Sequence, residues 1–348
     1  MKAIVYRRFG QPDVLEIEEI DKPAVPDDGV LVRVQVVSVN PVDWYPMTGT
    51  PYVARIEFGL LKPKDGRPGV DFAGTVESVG KDVTRFKPGD EVFGGKSGAL
   101  AEYVCVAEGR AIATKPSNLT FEEAASLPVA GVTALQGLRD KGRIRAGQKV
   151  LINGASGGVG TFAVQIAKAF GAEVTGVCSP RNVDLVRSIG ADYVIDYTKE
   201  DFTRGATRYD LMLDIAGSKS WSECKRVLAP DASFVVVGGA KKGALLGPLS
   251  HALRVRLSAR GTTQNVVWFF LANLTQQDLL VLKEMAEQGK LKPVIDRRFA
   301  FSETREALRY LGTGHARGKV VVDLEARQLH ASQTIAAVAP TSKALKKT

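Results

Sequence analysis

The chain is 348 residues long, with 45% hydrophobic and 24% charged residues, a soluble globular balance with length enough for two domains. No apolar run approaches the roughly 20 residues of a membrane span, and Cys105, Cys178 and Cys224 form no C-x-x-C pair, so neither a disulfide framework nor a cysteine-held structural zinc is indicated. The net charge of +9 sits in two acid-free stretches, Lys241, Lys242, Arg254, Arg256 and Arg260 in one and Arg327, Lys343, Lys346 and Lys347 in the other; charge placed partly in a tail and without interleaved aromatics argues against nucleic acid as a partner.

The N-terminus opens on a strand, Met1-Lys2-Ala3-Ile4-Val5-Tyr6, without the apolar core or cleavage site of a signal peptide. The cytoplasm is the expected location. Short β signals follow: an alternating run at 31–39 ending at Pro41, a β-branched run at 70–79, Glu91-Val92-Phe93 after the turn Lys87-Pro88-Gly89-Asp90, and a further run at 101–106. Many short strands at close spacing predict a compact, partly open barrel. Thr120 and Glu123 then form a capping box. A helical stretch at 124–138, broken at Pro128, leads into a second domain.

That domain is organised around Lys149-Val150-Leu151-Ile152-Asn153-Gly154-Ala155-Ser156-Gly157-Gly158-Val159-Gly160. An apolar run reads as a buried strand, and Val159, Phe162, Ala163, Ile166, Ala167 and Phe170 fall on one helix face. Strand, glycine turn and helix together form a dinucleotide-binding unit, in which Ala155, Ser156, Gly157, Gly158, Val159 and Gly160 would carry a pyrophosphate at the helix N-terminus. Ala155 stands where the usual G-x-G-x-x-G has its first glycine. A second strand at 173–177 ends in Cys178-Ser179-Pro180-Arg181-Asn182, without the acid that would bind a ribose 2′-hydroxyl. Ser179 and Arg181 suit a 2′-phosphate instead, so NADPH is the expected cofactor. Further strands at 192–195, 211–214 and 234–237 alternate with helices at 182–189 and 220–227, which predicts a doubly wound parallel sheet. Its crevice would gather Ser179, Asp196-Tyr197, Asp214-Ile215-Ala216-Gly217 and Gly238-Gly239.

Residues 241–262 are basic and apolar together. Leu245, Leu246, Leu249, Leu253 and Leu257 would line a membrane-surface helix, but a segment closing over the cofactor or packing on a partner subunit is the preferred reading. Helices at 277–288 and 302–311 follow, and 326–348 reads as a mobile tail.

The 154–160 turn, Asn40-Pro41-Val42-Asp43, Gly69-Val70-Asp71-Phe72-Ala73-Gly74, Lys87-Pro88-Gly89-Asp90-Glu91-Val92-Phe93-Gly94 and Gly314-His315-Ala316-Arg317-Gly318-Lys319-Val320-Val321, in this order, resemble the medium-chain dehydrogenase/reductase superfamily. Within it the chain is most similar to the zinc-free quinone oxidoreductase (zeta-crystallin-like) branch, over residues 1–325. The resemblance implies an α/β chain: a GroES-like partly open β-barrel catalytic domain at 1–125, a Rossmann NADP(H)-binding domain at 126–262, a return to the catalytic domain at 263–325, and a homodimer paired through the nucleotide-domain sheet edge. Where zinc members carry an early Cys and a later Gly-His-Glu, this chain has Asn40 and Val70-Asp71, and His251, His315 and His330 all come late, so no metal is expected.

Without a Lewis acid, hydride transfer favours acceptors that spread charge onto a conjugated oxygen, namely quinones and α,β-unsaturated carbonyls. The resemblance places Asn40 at the nicotinamide-ribose side with Thr133 near it, Tyr45 and Tyr52 among active-site tyrosines, and Lys319 at the cofactor phosphates. Trp44 and Trp268 are further candidates for the pocket wall. The piece 52–64, with Arg55, Lys62 and Lys64, departs from short-loop quinone reductases and leaves the acceptor open. Rival readings are a zinc-free alcohol dehydrogenase, a non-catalytic NADPH-binding sensor or scaffold, and a membrane-peripheral protein.

Overall fold

The structure, a computed structural model, describes residues 1–52, 55–238 and 249–325. Strands β1 (Lys2–Tyr6) and β2 (Leu15–Glu19) pair antiparallel. The eleven-residue β3 (Gly29–Val39) is the spine of the barrel. Its near-continuous valines pair with β4 (Asp71–Val79) and with β6 (Tyr103–Ala107), and β4 carries β5 (Glu91–Gly95), which carries β7 (Ile112–Thr114). Between β3 and β4 lie α1 (Pro41–Thr48) and the single turn α2 (Arg55–Phe58). The chain then leaves the barrel through α3 (Phe121–Ala125) and α4 (Pro128–Gln136). Thr120 and Glu123 cap α3 reciprocally, as their spacing predicts, and Pro128 opens α4 at its first turn, where a missing N–H costs nothing.

The second unit is a six-stranded parallel sheet: β8 (Lys149–Asn153), α5 (Gly158–Ala169), β9 (Glu173–Cys178), α6 (Val183–Ser188), β10 (Tyr193–Asp196), β11 (Tyr209–Asp214), α7 (Trp221–Cys224), β12 (Leu228–Val236), α8 (Leu249–Ser258) and β13 (Asn265–Val267). Its order, β10-β9-β8-β11-β12-β13, is the doubly wound order with a switch point between β8 and β11. Alternation along each strand explains why both faces are covered. Val150, Ile152, Leu211 and Leu213 enter one core with α4 and α5, while Leu151, Met212 and Phe234 enter another with Trp221 and Val255.

The chain returns through α9 (Gln276–Glu287), β14 (Ile295–Ala300), α10 (Thr304–Gly312) and β15 (Lys319–Asp323). Strand β15 pairs antiparallel with β3, which puts Val320 beside Val39 and brings Lys319 to the end of β3 where Asn40 begins. The first core is continuous across the seam, since Ala73, Phe93 and Val321 join Phe162 and Leu282 in it.

Three sequence expectations are corrected. The nucleotide sheet extends to 265–267, past the 262 boundary, because β13 is too short for its periodicity to register. Strand β12 begins at Leu228 rather than 234; Pro230 and Asp231 hide its start, and its pairing with β11 shifts register there. The helical stretch expected at 220–227 is the single turn α7 followed by a 3-10 turn at Lys225–Val227. Of the proposed amphipathic leucines, Leu245 and Leu246 lie outside the described residues, as do Gly239 and the tail; α8 buries Ala252 and Val255 and leaves Leu253 and Leu257 exposed. Among the described residues no helix is long and apolar enough to cross a membrane.

Candidate active site and cofactor crevice

The glycine turn departs in detail from the usual pattern. The left-handed residue is Gly154, at φ +93°, one position before the motif, so Ala155 needs no positive φ and is fully buried. A Cβ on Gly160 would lie 2.1 Å from the Gly154 carbonyl oxygen, which makes Gly160 the close-packing glycine between helix and turn. A Cβ on Gly157 would find only the Gly154 carbonyl oxygen, at 3.7 Å, and one on Gly158 would meet the Lys319 stem at 3.4 Å. No side chain caps the first turn of α5 and no acid lies in it. An open glycine cradle at an uncapped helix start fits a pyrophosphate.

The crevice walls converge as the parallel order requires. The N–H of Ala216 donates to Asn153 O at 3.2 Å, and Gly238 is pressed so close to Ile215 that a Cβ would sit 2.4 Å from its carbonyl oxygen. Beneath them the buried Asp214 accepts from Asn153 Nδ2 at 2.7 Å and Gly217 N at 3.0 Å, and pairs with His251 Nε2 at 3.0 Å. Ser179 follows β9 directly, and Tyr197 follows β10 with its side chain exposed. Arg181 is exposed and donates from Nη2 to His315 O at 3.1 Å, while Arg317 reaches back to Arg181 O at 3.4 Å. The loop before β15 thereby brings a second guanidinium to the place where sequence reading saw one.

On the barrel side four polar residues are buried together: Asn40, Asp43, Asp71 and Lys319, each at most 3% exposed. Asn40 caps α1, and its N–H donates to Asp43 Oδ2 at 2.7 Å. Asn40 Nδ2 donates to Ser38 O at 3.0 Å and Asp71 Oδ2 at 2.8 Å; Lys319 Nζ donates to Asn40 Oδ1 at 2.5 Å and lies 3.4 Å from Asp71 Oδ2. Both amide protons of Asn40 are therefore engaged, and its outward capacity is the remaining lone pair on Oδ1. Asp71 Oδ1 accepts from Val129 N at 2.9 Å, which places an acid at the start of α4 and links the barrel to the second unit. Burial pushes the Asp71 carboxyl above its usual range, against the pull of Lys319 and Asn40, and pulls the Lys319 ammonium down, against the pull of Asp71.

The aromatic candidates separate. Tyr45 is partly buried on α1, and burial raises its phenol pKa. Tyr52 is 48% exposed, with Arg55 stacked on its ring at 4.7 Å; Arg55 also lies over Phe9 and donates to Gly49 O, which ties it to the segment after β1 and to the end of α1. Trp44 packs on the barrel core, close enough to Gly312 that a Cβ there would meet its ring at 2.4 Å. Trp268 packs at the second core under the Arg256 guanidinium, 4.8 Å away. Thr133 is half-buried on α4 and returns its hydroxyl to Val129 O at 2.6 Å. Lys319 directs its amine at Asn40 and Asp71, while its stem borders the glycine turn. Asp43 was not among the sequence candidates; the N-x-x-D spacing after β3 is the capping-box signal that would have found it.

A barrel interrupted by a Rossmann sheet, with a glycine turn meeting a polar cluster at the seam, is an architecture of dinucleotide-dependent dehydrogenases and reductases. Comparison with known proteins agrees. The alcohol dehydrogenase GroES-like domain model matches residues 26–117, and the zinc-binding dehydrogenase model matches residues 189–322. The chain is 36% identical over 342 residues to the NADPH-dependent alkenal/one oxidoreductase, chloroplastic, of Arabidopsis thaliana, covering 92% of this chain and 79% of that protein. It is 35% identical over 341 residues to the 2-methylene-furan-3-one reductase of Solanum lycopersicum, with the same coverage. The solved quinone oxidoreductase from Coxiella burnetii matches with a TM-score of 0.81 at 33% identity, covering 93% of this chain and 99% of that one. The chain belongs to the medium-chain dehydrogenase/reductase superfamily, among its quinone-oxidoreductase-like members. One matching model is described as zinc-binding, yet among the described residues no group of three or more His, Cys, Asp or Glu side chains could hold a metal ion.

Proposed function

We propose that the protein is an NADPH-dependent, zinc-independent reductase that delivers hydride to quinones or α,β-unsaturated carbonyls. The observation that carries this reading is the seam itself. Lys319 borders Gly158 of the cofactor turn with its stem and holds Asn40 with its amine, in the polar centre where zinc members of the superfamily would hold a metal. That centre already contains a fixed ammonium, and its best oxygen donors are engaged by it. The names of the two plant relatives and of the solved bacterial structure support the same substrate class.

When bound, the nicotinamide supplies a hydride. The backbone of Ala155, Ser156, Gly157, Gly158, Val159 and Gly160 would hold the pyrophosphate. Ser179, Arg181 and Tyr197 would hold the 2′-phosphate, with Ala216 and Gly238 closing the crevice. Asn40 would accept from a ribose hydroxyl through its remaining lone pair, with Thr133 alongside. Lys319 fixes that amide. Tyr45 and Tyr52 would donate to the oxygen on which charge develops, and solvent supplies the proton.

The homodimer belongs to the same proposal. Among the described residues strand β13 is one of the two edges of the parallel sheet, and the exposed Phe269 and Leu271 come shortly after it. The cytoplasmic location is likewise proposed, and imaging of a tagged chain checks it. The deciding experiment follows loss of 340 nm absorbance with NADPH or NADH against a panel of quinones and 2-alkenals. Turnover selective for NADPH supports the reading. Nucleotide binding without turnover of either acceptor class sinks it.

A further inference from the structure

Asn182 has an unbalanced set of hydrogen bonds. It is 4% exposed, and its Nδ2 donates to two hydroxyls, Ser156 Oγ at 2.9 Å and Ser179 Oγ at 3.0 Å. Ser156 lies in the glycine turn and Ser179 at the end of β9, so one side chain joins the two elements that border the adenosine half of the crevice. Asn182 Oδ1 has no partner; among the described residues, only it and Asp196 Oδ2 are buried side-chain oxygens or nitrogens in that condition. Buried polar groups are otherwise paired almost everywhere; since the amide can turn over and exchange Oδ1 for Nδ2, the free donors of the whole trio, and not the orphan atom alone, indicate the ligand.

The donor count says what kind of ligand. A serine oxygen that accepts from the amide keeps its own proton for another acceptor. Ser156 and Ser179 together therefore offer two O–H donors. Turning the amide over moves the two unused protons onto the amide nitrogen and leaves their number unchanged. Arg181 directly precedes Asn182, and its guanidinium donates to His315 O while Arg317 donates back to Arg181 O, so the same two segments carry two cations. Two free donors on segments that also carry two arginines suit a phosphate oxyanion better than a neutral ribose hydroxyl. One group pulls the other way: the Asp196 carboxylate at the end of β10, whose Oδ1 is taken by Thr198 N at 3.0 Å and Thr198 Oγ1 at 2.8 Å.

We propose that Asn182 is a specificity-determining residue for the dinucleotide: it holds Ser156 and Ser179 as a pair of donors aimed at the 2′-phosphate, and without it the site loses its preference for the phosphorylated ribose. This deepens the assignment of Ser179 and Arg181 to that phosphate and rests on it.

The test uses the full chain and calorimetric titration with adenosine 2′,5′-bisphosphate and with 5′-AMP, which isolates the adenosine half without turnover. Asn182→Asp is isosteric. Its carboxylate accepts from both serines, turns their protons inward and adds a charge that repels phosphate. The wild type is expected to prefer the bisphosphate by about 100-fold, and Asn182→Asp to lose at least about 30-fold of that preference with 5′-AMP binding held within about 3-fold. Ser156→Ala, a smaller change in a half-exposed turn, is expected to lose about 5- to 10-fold and serves if the aspartate variant does not fold. An unchanged preference in the variants that fold overturns the role of Asn182, and Arg181→Ala then reports whether the arginine reading still stands. Equal weakening of both ligands reduces Asn182 to a loop brace and also overturns the proposal. A wild type without preference for the bisphosphate overturns this inference and the reading beneath it together.

Discussion

Asp71 and Lys319 form a fully buried ion pair, 3.4 Å apart, at the seam between the barrel and the glycine turn. They lie 248 positions apart in the chain, yet the antiparallel pairing of β15 and β4 on either side of β3 places them together. Such a pair is costly to desolvate and tolerable only if its other valences are filled. Asn40 Nδ2 and Val129 N fill them for Asp71, and Asn40 Oδ1 does so for Lys319.

The first prediction follows from that geometry. Lys319→Met leaves the Asp71 charge buried and uncompensated, and unfolding should become easier by about 3–5 kcal/mol. Asp71→Asn combined with Lys319→Met removes both charges, so the double variant should be more stable than the sum of the single effects. Denaturant unfolding of the four proteins measures the coupling. Simple additivity would mean that the two groups do not sense each other.

The cofactor preference gives the second. Arg181 is exposed, and its guanidinium hydrogen-bonds to a backbone carbonyl, His315 O. Arg181→Ala should therefore leave the fold intact, raise the NADPH dissociation constant about 10- to 100-fold and leave NADH within about 2-fold. Fluorescence titration with both nucleotides checks it, and equal weakening would dismiss Arg181 as the reader of the phosphate.

Two glycines of one motif should behave differently, which is the third prediction. Gly160→Ala drives a Cβ to 2.1 Å from the Gly154 carbonyl oxygen, and the helix must move off the turn. A loss of about 1–3 kcal/mol of stability is expected, the usual scale for overpacking. Gly157 has space for a Cβ and extended backbone angles, φ −84° and ψ 179°. Gly157→Ala should cost far less stability while filling the anion cradle and weakening NADPH. Melting temperature and nucleotide affinity, measured on both variants, separate the packing glycine from the cradle glycine.

These contrasts also mark what a linear reading captures. The start of the Rossmann half was legible because its signals are local: β8, the glycine turn and the apolar stripe of α5 are adjacent in sequence, and the boundaries of β8 and α5 differ from expectation by one residue. Strand β13 was not, since three residues carry no period. The positive φ falls at Gly154 rather than inside the motif, which a pattern of glycines alone does not reveal. The barrel-side cluster was half legible. Asn40, Asp71 and Lys319 each stood in a recognised motif, but their common hydrogen bonds depend on the pairing of β3, β4 and β15, a long-range property. Asn182 was visible in sequence only as the residue after Arg181; its role as a bridge needs the turn and the end of β9 to be side by side.

Asp43 supplies the last prediction. Both its oxygens accept backbone N–H groups, Oδ2 from Asn40 at 2.7 Å and Oδ1 from Gly69 at 3.0 Å. Burial nevertheless raises its pKa from 3.8 to about 7; the N–H of Asn40 opposes the rise, the charge of Asp71 adds to it, and Lys319 and the N–H of Gly69 oppose it. A carboxyl with a raised folded-state pKa binds its proton more tightly in the native than in the unfolded chain. Between the two pKa values the unfolded state holds fewer protons, so stability falls as pH rises. The contribution of Asp43 is thus fully present below about 3.8 and lost as pH climbs to about 7. Asn at this position cannot titrate. The difference in melting temperature between the wild type and Asp43→Asn should shift against the wild type from pH 5 to pH 8, most of the change falling below pH 7. Calorimetric scans across that range decide it. A constant difference would mean that Asp43 is already ionised at pH 5, with its two N–H donors outweighing burial.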